Sequence, residues 1–440
     1  MRVCERYWLC VLHECNVKDE FLTPVIGLCS GVWFNTFNFP KTEVGSEKLR
    51  TPVQTLENLE MKKTLVAIAA IAAATGALAQ SSVSLIGVVD AGYQAISHTD
   101  ATKKWSGIKN NAVQTSRVEF VGNEDVGSGL KAGFWMELDF NPVQSTSANT
   151  TSTNAFQGTP FTGQQFVSLS GGFGELKIGQ PDSPALAIGG GTMQPFGTNV
   201  GSGYSGTWGR LGTVGVSGVN SYIGKDTGRI VRHEKNIVYA TPVFSGFQAK
   251  AEYSFQNDKS ATVTSNDNGY YSLSGFYTNG PLNVAALTAK GTSGDNAAAG
   301  TTATIGGTTA VNNGLGTSGS VKWNMLGANY TVGAATVYAG YTTTKADNSA
   351  STQVEDSKSS SIAGKYVMGN VDLLANYIKR TNNLTGSTTP AESKLTALGA
   401  NYNLSKNTAL YFRNEHTTGL NTTSATQTQT INAIGMWVKF

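Results

Sequence analysis

The stretch Leu130-Lys131-Ala132-Gly133-Phe134-Trp135-Met136-Glu137-Leu138-Asp139 decides the fold. Leu130, Ala132, Phe134, Met136 and Leu138 recur at every second position, and Lys131, Trp135, Glu137 and Asp139 fill alternate ones. Successive side chains of a strand point to opposite faces, so this segment has one apolar and one charged face. Upstream, Val83, Leu85, Gly87, Val89, Ala91 and Tyr93 share a face against Ser82, Ser84, Asp90 and Gly92. Downstream, Phe247, Ala249, Ala251, Tyr253 and Phe255 alternate with Gln248, Lys250, Glu252 and Ser254. Strands of about ten residues with an apolar face opposite a charged one are the signature of a barrel with lipid outside and water within. A soluble sandwich also alternates, but its apolar faces need a second sheet.

The connections alternate between short and long. Short turns are predicted near Asn123–Ser128, Gly171–Phe173, Pro242–Gly246, Asn279–Pro281, Thr331–Ala334, Met368–Asn370 and Ser405–Asn407. Long loops rich in Ser, Thr, Asn and Gly are predicted near 96–113, 142–162, 181–231, 257–267, 292–317, 346–357, 382–390 and 417–426. Eight long loops and seven short turns separate sixteen strands, and the meeting of the chain ends is the last closure on the short side. The expected fold is all-β, a 16-stranded antiparallel transmembrane barrel. The third loop, 181–231, is the longest. Connections above about 15 residues without structure of their own are usually functional. Sixteen strands enclose an aqueous channel. Folded inward, this loop narrows the channel; left outside, it is an exposed surface loop.

Composition agrees with a single membrane unit. Charged residues make up 14% of the chain and the net charge is +3, too small for a nucleic-acid footprint. The longest apolar run, Leu65 to Ala74, falls far short of the roughly 20 residues of a spanning helix. Cys4, Cys10, Cys15 and Cys29 are the only cysteines, and all lie near the N-terminus. A cysteine-free exported part avoids disulfide errors in an oxidising compartment.

Met61-Lys62-Lys63, the apolar run Leu65 to Ala74 and the small-x-small site Ala77-Leu78-Ala79 before Gln80 form a secretory signal peptide in the right order. The expected organisation is an upstream extension over 1–60, arising from a start called too early or else a long leader that is also removed, a signal peptide over 61–79 cleaved between Ala79 and Gln80, and the barrel over 80–440. At the other end, Ile434, Met436, Val438 and Phe440 share one face. A terminal Phe in register with three apolar residues suits a lipid-facing strand with an aromatic at the interface.

These segments resemble the general porins of Gram-negative bacteria, of the β-proteobacterial type. Ser82 through Gly92 is similar to their first strand, Phe120 through Ala132 to their first periplasmic hairpin, and Phe166 through Gly174 to the hairpin before loop three. Asn236-Ile237-Val238-Tyr239, Pro242 and Phe244 through Phe247 resemble the strand-turn-strand after it. Two departures stand out. Ile86 occupies a position where an aromatic is usual, and Gln180-Pro181 follows Gly179 where the family commonly carries an arginine. The resemblance implies a homotrimer with loop three folded into the lumen as the constriction. It also implies passive diffusion of ions and small hydrophilic solutes without cofactor or catalysis. The implied location is the outer membrane, reached by export through the periplasm, with lipid and lipopolysaccharide around the barrel. Phe440 is similar to the signal that the barrel assembly machinery reads.

A pore needs a wet lumen and a local field, not a reacting group. A charge facing lipid at mid-membrane costs about 2–4 kcal/mol for Arg or Lys, so strand charges face inward. Parity places Arg117, Glu119, Lys131, Glu137, Asp139, Glu175, Lys177, Lys250, Glu252, Asp372, Arg380, Arg413 and Glu415 there, with Arg232 and Glu234 in phase with Asn236. Loop three sets Asp182 and Asp226 against Arg210, Lys225 and Arg229. Constriction candidates are therefore Arg117, Lys131, Glu137, Asp139, Lys177, Asp182, Arg210, Asp226, Arg229, Arg232 and Arg413. So few acids in this loop predict a weakly anion-selective or nearly non-selective pore.

Three other classes compete. An enzyme would need His98, His233 or His416 in a nucleophile motif, and none has that spacing. An adhesin or plugged barrel would use the polar loops for binding. A solute-specific channel would use Tyr204, Trp208 and Tyr222 as a sugar slide; anchoring loop three to the wall is the plainer role for them.

Overall fold

A computed structural model describes residues 81–99, 101, 104–143, 163–204, 208, 232–255, 269–292, 303–305, 308–310, 320–347, 353–383, 391–419 and 428–440. The extension, the signal peptide and its Ala79–Gln80 site lie outside these residues. The strands are β1 (Ser82–His98), β2 (Trp105–Asn110), β3 (Arg117–Gly127), β4 (Leu130–Asp139), β5 (Gln165–Gly171), β6 (Gly174–Gln180), β7 (Asn236–Ala240), β8 (Phe247–Phe255), β9 (Gly269–Asn279) and β10 (Leu282–Thr292). They continue with β11 (Ala303–Ile305), β12 (Thr308–Ala310), β13 (Ser320–Val332), β14 (Ala335–Asp347), β15 (Gln353–Met368), β16 (Val371–Asn382), β17 (Ala391–Asn403), β18 (Thr408–Thr418) and β19 (Thr428–Lys439). A short helix, α1 (Pro184–Ala187), runs into a π turn over Ile188–Thr192.

Every barrel strand pairs antiparallel with its neighbours, and β19 returns to β1 from Val88↔Lys439 to His98↔Gln429. β2 continues the line of β3 against β1, and β11 and β12 form a separate hairpin, so sixteen strands make the closed ring. Closure answers the chemistry of lipid, which offers no partner to an unpaired N–H or C=O. All seven expected short turns join paired strands; at the first, β3 runs on to Gly127 with a register shift after Asp125. β15 begins at Gln353, inside the stretch expected as loop.

The seam is held at the chain terminus. Gly87 N–H donates to the Phe440 carbonyl at 3.0 Å, and Phe440 N–H donates back to Gly87 at 3.1 Å. A Cβ on Gly87 would lie 2.5 Å from the Phe440 ring and 2.6 Å from the Arg117 carbonyl oxygen. Because one obstacle is backbone, Gly87→Val is expected to cost about 1–3 kcal/mol through overpacking. The check is the temperature at which the folded band is lost on an unheated-versus-heated gel; an unchanged temperature would show that the seam tolerates the bulk.

The expected first loop, 96–113, is not simply polar coil. β2 pairs with β1, and the barrel's second strand breaks between β2 and β3 over residues 111–116. Asp90 holds the break: its carboxylate accepts Val113 N–H at 2.8 Å and Gln114 N–H at 2.7 Å. Asn111, at φ 59°, accepts Ser116 N–H at 2.8 Å. Ala112 is wholly buried and, with Val113, packs into a cluster containing Tyr411, Trp437 and Val200.

The outward faces carry the lipid surface. Val83, Leu85, Phe120, Met136, Val167, Ile178, Leu273, Ile362 and Leu398 are exposed there. No helix among the described residues is long and apolar enough to cross a membrane, so the strands do the crossing.

Candidate functional site

Loop three enters the lumen directly after β6. Ser183 caps α1 by accepting Ala185 N–H at 3.2 Å, and Pro184 occupies a first-turn position that requires no N–H donor. The Ser183 hydroxyl also donates to Glu252 on β8 at 2.9 Å. The chain then runs along the inner wall. Ile188, Met193 and Trp208 are fully buried against an apolar inner patch that includes Leu287, Trp323 and Met325. Fully burying each such side chain is worth about 1.5–3 kcal/mol. Glycines make room: a Cβ on Gly327 would lie 2.7 Å from Met193, and one on Gly340 would lie 2.8 Å from both Met193 and Trp208.

Polar contacts fix the far end. Gly201 N–H donates to Glu415 at 2.6 Å, and the Asn376 amide donates to the Gly201 carbonyl at 2.9 Å. Thr342 donates to the Trp208 carbonyl at 3.3 Å, and Asn329 to that of Thr192 at 3.3 Å. Val200 N–H reaches the Ala112 carbonyl at 3.2 Å, so the break in the second strand is itself a docking point. Trp208 is thus an anchor, its indole N–H donating to Ser202 at 2.9 Å; Tyr204 is buried in the same cluster.

The described part of the loop packs along the wall from β8 round to β18, and at its start Asp182 N–H donates to Gln164 beside β5 at 3.1 Å. Register puts Arg117, Glu119, Lys131, Glu137, Asp139, Glu175 and Lys177 on the inner face of the wall formed by β3, β4 and β6. Arg117 pairs with Glu119 and lies 3.7 Å from Glu137. Glu119 and Glu137 are buried, whereas Arg117 stays about a third exposed and Lys131 is exposed. Arg232 closes the base of the loop against Asp182, its Nε 2.8 Å from Oδ1, with the two residues bridged backbone to backbone. Burial pushes the Asp182 carboxyl up, and Arg232 opposes that push.

A cavity of about 260 Å³ lies between α1 and this wall, lined by Gln164, Glu175, Lys177, Asp182 and Lys250 among others. Lys177 sits 3.5 Å from Glu175 and over the Phe166 ring; Lys250 sits over Phe276. Other sequence candidates are placed elsewhere. Arg413 is inward but only 2% exposed, sandwiched between Phe196 of loop three and Tyr411, and donating to Asn401 at 2.8 Å. Glu252 and Glu415 are spent on loop three, and Asp372 pairs with Lys365 at 3.2 Å. Arg210, Asp226, Arg229 and Tyr222 lie outside the described residues. His233 is buried and stacked on Tyr270, while His416 faces outward against Thr430. Among the described residues, no group of three His, Cys, Asp or Glu has metal-binding geometry. Asp90, Phe196 and Gly201 are docking residues that no local sequence pattern marks.

A closed sixteen-stranded antiparallel barrel with the described part of its third loop packed against the inner wall is the architecture of a transmembrane β-barrel. Residues 65–421 match the family model for the Gram-negative porin, and the chain belongs to that family. It is 33% identical over 226 residues to outer membrane porin protein 32 of Delftia acidovorans, covering 51% of this chain and 58% of the relative. It is also 33% identical over 248 residues to an outer membrane porin protein of Bordetella pertussis, with the same coverage. The alignments thus span little more than half the length of these curated relatives. The anion-selective porin from Comamonas acidovorans superposes with a TM-score of 0.64 at 26% identity, over 82% of this chain and 100% of that one.

Proposed function

We propose that this barrel is an outer-membrane channel for passive diffusion of ions and small hydrophilic solutes, weakly anion-selective or nearly non-selective. The observation that carries the reading is the unequal fate of the lumen charges. Asp90, Glu119, Glu137 and Glu252 are buried and bonded to protein groups, whereas Lys131 is exposed and Lys177 and Lys250 border the cavity, where Glu175 and the Arg232-paired Asp182 face them. A buried, hydrogen-bonded carboxylate contributes less to the field in the water path than an exposed ammonium does. Stepwise currents in planar bilayers, with a reversal potential of anion sign or near zero in a salt gradient, are the expected result. Strong cation preference would defeat the selectivity reading, and absence of steps the pore reading.

Arg232→Glu supplies a second test. It removes the partner of Asp182 and sets a new carboxylate beside it, near Glu137. The reversal potential is expected to move toward cations; no movement would place Arg232 away from the permeation path. A homotrimer is the assembly that fits best. The outer face of β1 carries Gly87, Val89, Ala91 and Ala95, and small residues let neighbouring backbones approach closely within lipid.

A further inference from the structure

Elsewhere in the lumen, apolar wall is covered by loop three itself, as Ile188, Met193 and Trp208 cover Leu287, Trp323 and Met325. The cavity beside α1 is different. Its floor is β7, whose inward residues there are Val238 and Ala240, and neither belongs to the apolar clusters of the lumen. Pro184, Leu186 and Ala187 of α1 border the same space. Charged groups flank this apolar floor. In the ladder Glu175, Ala240 and Lys250 form one row across β6, β7 and β8, and Lys177 and Val238 lie in the next row toward loop three. A wall that met only water and inorganic ions would gain nothing from valine and alanine at the centre of these rows.

The charges are unequally satisfied. Asp182 is tied to Arg232, with Nε 2.8 Å from Oδ1, and Glu175 lies 3.5 Å from Lys177. Among the described residues, Lys250 has no carboxylate within 4 Å, and its ammonium lies over the Phe276 ring, 4.7 Å from the centroid. A ring face holds a cation in place without cancelling its charge. The cavity therefore combines one unspent ammonium with an apolar floor. Glu175 and Lys177 keep 39% and 29% of their side-chain surfaces exposed, so water and small solutes reach it.

We infer that this cavity is a binding site for small monocarboxylates that carry a compact apolar body, such as a benzene ring or a branched alkyl group. The carboxylate would accept from Lys250, and the body would lie against Val238, Ala240 and Leu186, where its burial is favourable. The cavity holds about 260 Å³, and about 150 Å³ of apolar space is enough for benzene. Other solute classes fit less well. An inorganic anion or acetate leaves the apolar surfaces in contact with water. A dicarboxylate turns its second charge toward Val238 and Ala240, or toward Glu175 and Asp182, and a charge taken from water without a partner is costly. A neutral ring leaves Lys250 unmatched. A sugar finds few partners, because the Ser183 hydroxyl already donates to Glu252 and accepts from Ala185 N–H. The site deepens the channel reading above and rests on it for the route by which the solute arrives and leaves.

The test is equilibrium dialysis of labelled benzoate against the full barrel, with the same detergent on both sides. Saturable binding in the millimolar range is expected, weak enough for release into the channel. Acetate, which lacks the body, benzyl alcohol, which lacks the charge, and succinate, which adds a second charge, are each expected to bind about tenfold more weakly. Lys250→Gln is expected to weaken benzoate about tenfold by removing its charged partner. Ala240→Leu, which fills the floor and alters no charge, is expected to weaken it to a similar degree in barrels that keep the folded band on a gel. Lys406→Gln, on the short turn between β17 and β18, is expected to leave the affinity unchanged. Acetate or succinate binding as tightly as benzoate would overturn the proposal, and so would wild-type affinity in Lys250→Gln. Equal weakening by Lys406→Gln would overturn it too, because attraction to net charge alone would then explain the binding. Conductance recorded on the same preparations keeps the readings apart: saturable benzoate binding without channel steps overturns the pore alone, and steps without saturable binding overturn this site alone.

Discussion

Gly201→Val is expected to release loop three from the wall and to raise the conductance of the channel. Gly201 has φ +97°, and a Cβ there would lie 2.3 Å from the Phe196 ring. Valine therefore meets two obstacles, a left-handed backbone that β-branched residues avoid and an aromatic packed under Arg413. The backbone strain costs about 1–3 kcal/mol. Displacing the Gly201 N–H from Glu415 loses a hydrogen bond to a charged group, worth about 1.5–3 kcal/mol. Even about 3 kcal/mol raises the undocked population roughly a hundredfold. None of the barrel's strand pairs includes Gly201, so the folded band on a gel should persist while single-channel steps become larger and noisier. Steps of wild-type size would show that this seat does not hold the constriction.

Such an effect was only partly legible in the sequence, and the reason is physical. The strands and their faces follow from a two-residue period, a local property that lipid on one side and water on the other make strict. Lys131, Glu137 and Asp139 therefore fell inward by parity alone, and the seven short turns were marked by Gly, Pro, Asn and Ser. Loop three is held by pairings that no local pattern encodes. Gly201 meets Glu415 across 214 positions, and Tyr411 donates to Asp90 across 321. Parity placed Arg413 inward but not beneath Phe196, because the cover comes from a distant loop. The inner wall also departs from an all-polar lumen: Leu287, Val321, Trp323 and Met325 point inward where the loop buries them. The break at 111–116 looked like ordinary polar coil, since the carboxylate that frames it, Asp90, comes from more than twenty residues upstream. Lys290, Lys322 and Lys345 face outward near their strand ends, against the rule that strand charges face inward, which holds at mid-membrane and lapses near the rim.

The double variant Lys177→Glu, Lys250→Glu is expected to reverse the sign of the ion preference. Both ammonium groups border the cavity beside α1, and both are held over aromatic faces, 4.8 Å from Phe166 and 4.7 Å from Phe276. Their positions are thus fixed by packing, and the wild-type cavity sets two cations against the carboxylates of Glu175 and Asp182. The variant replaces that balance with four carboxylates, Asp182 being still tied to Arg232. A unit charge about 4 Å from a passing ion contributes about 1 kcal/mol in water-like surroundings. That corresponds to roughly a fivefold local enrichment of cations per added charge, so even one uncompensated site dominates a weakly selective pore. The shift must also fade with salt. The screening length falls from about 10 Å at 0.1 M to about 3 Å at 1 M, shorter than the distance from these side chains to the middle of a water-filled passage. Reversal potentials in gradients centred on those two concentrations are the check, with Lys177→Gln, Lys250→Gln expected to give an intermediate shift. A permeability ratio that stays at the wild-type value at low salt would mean that ions do not pass this cavity. A shift of equal size at both concentrations would mean that the substitutions act by moving loop three and not through their charge.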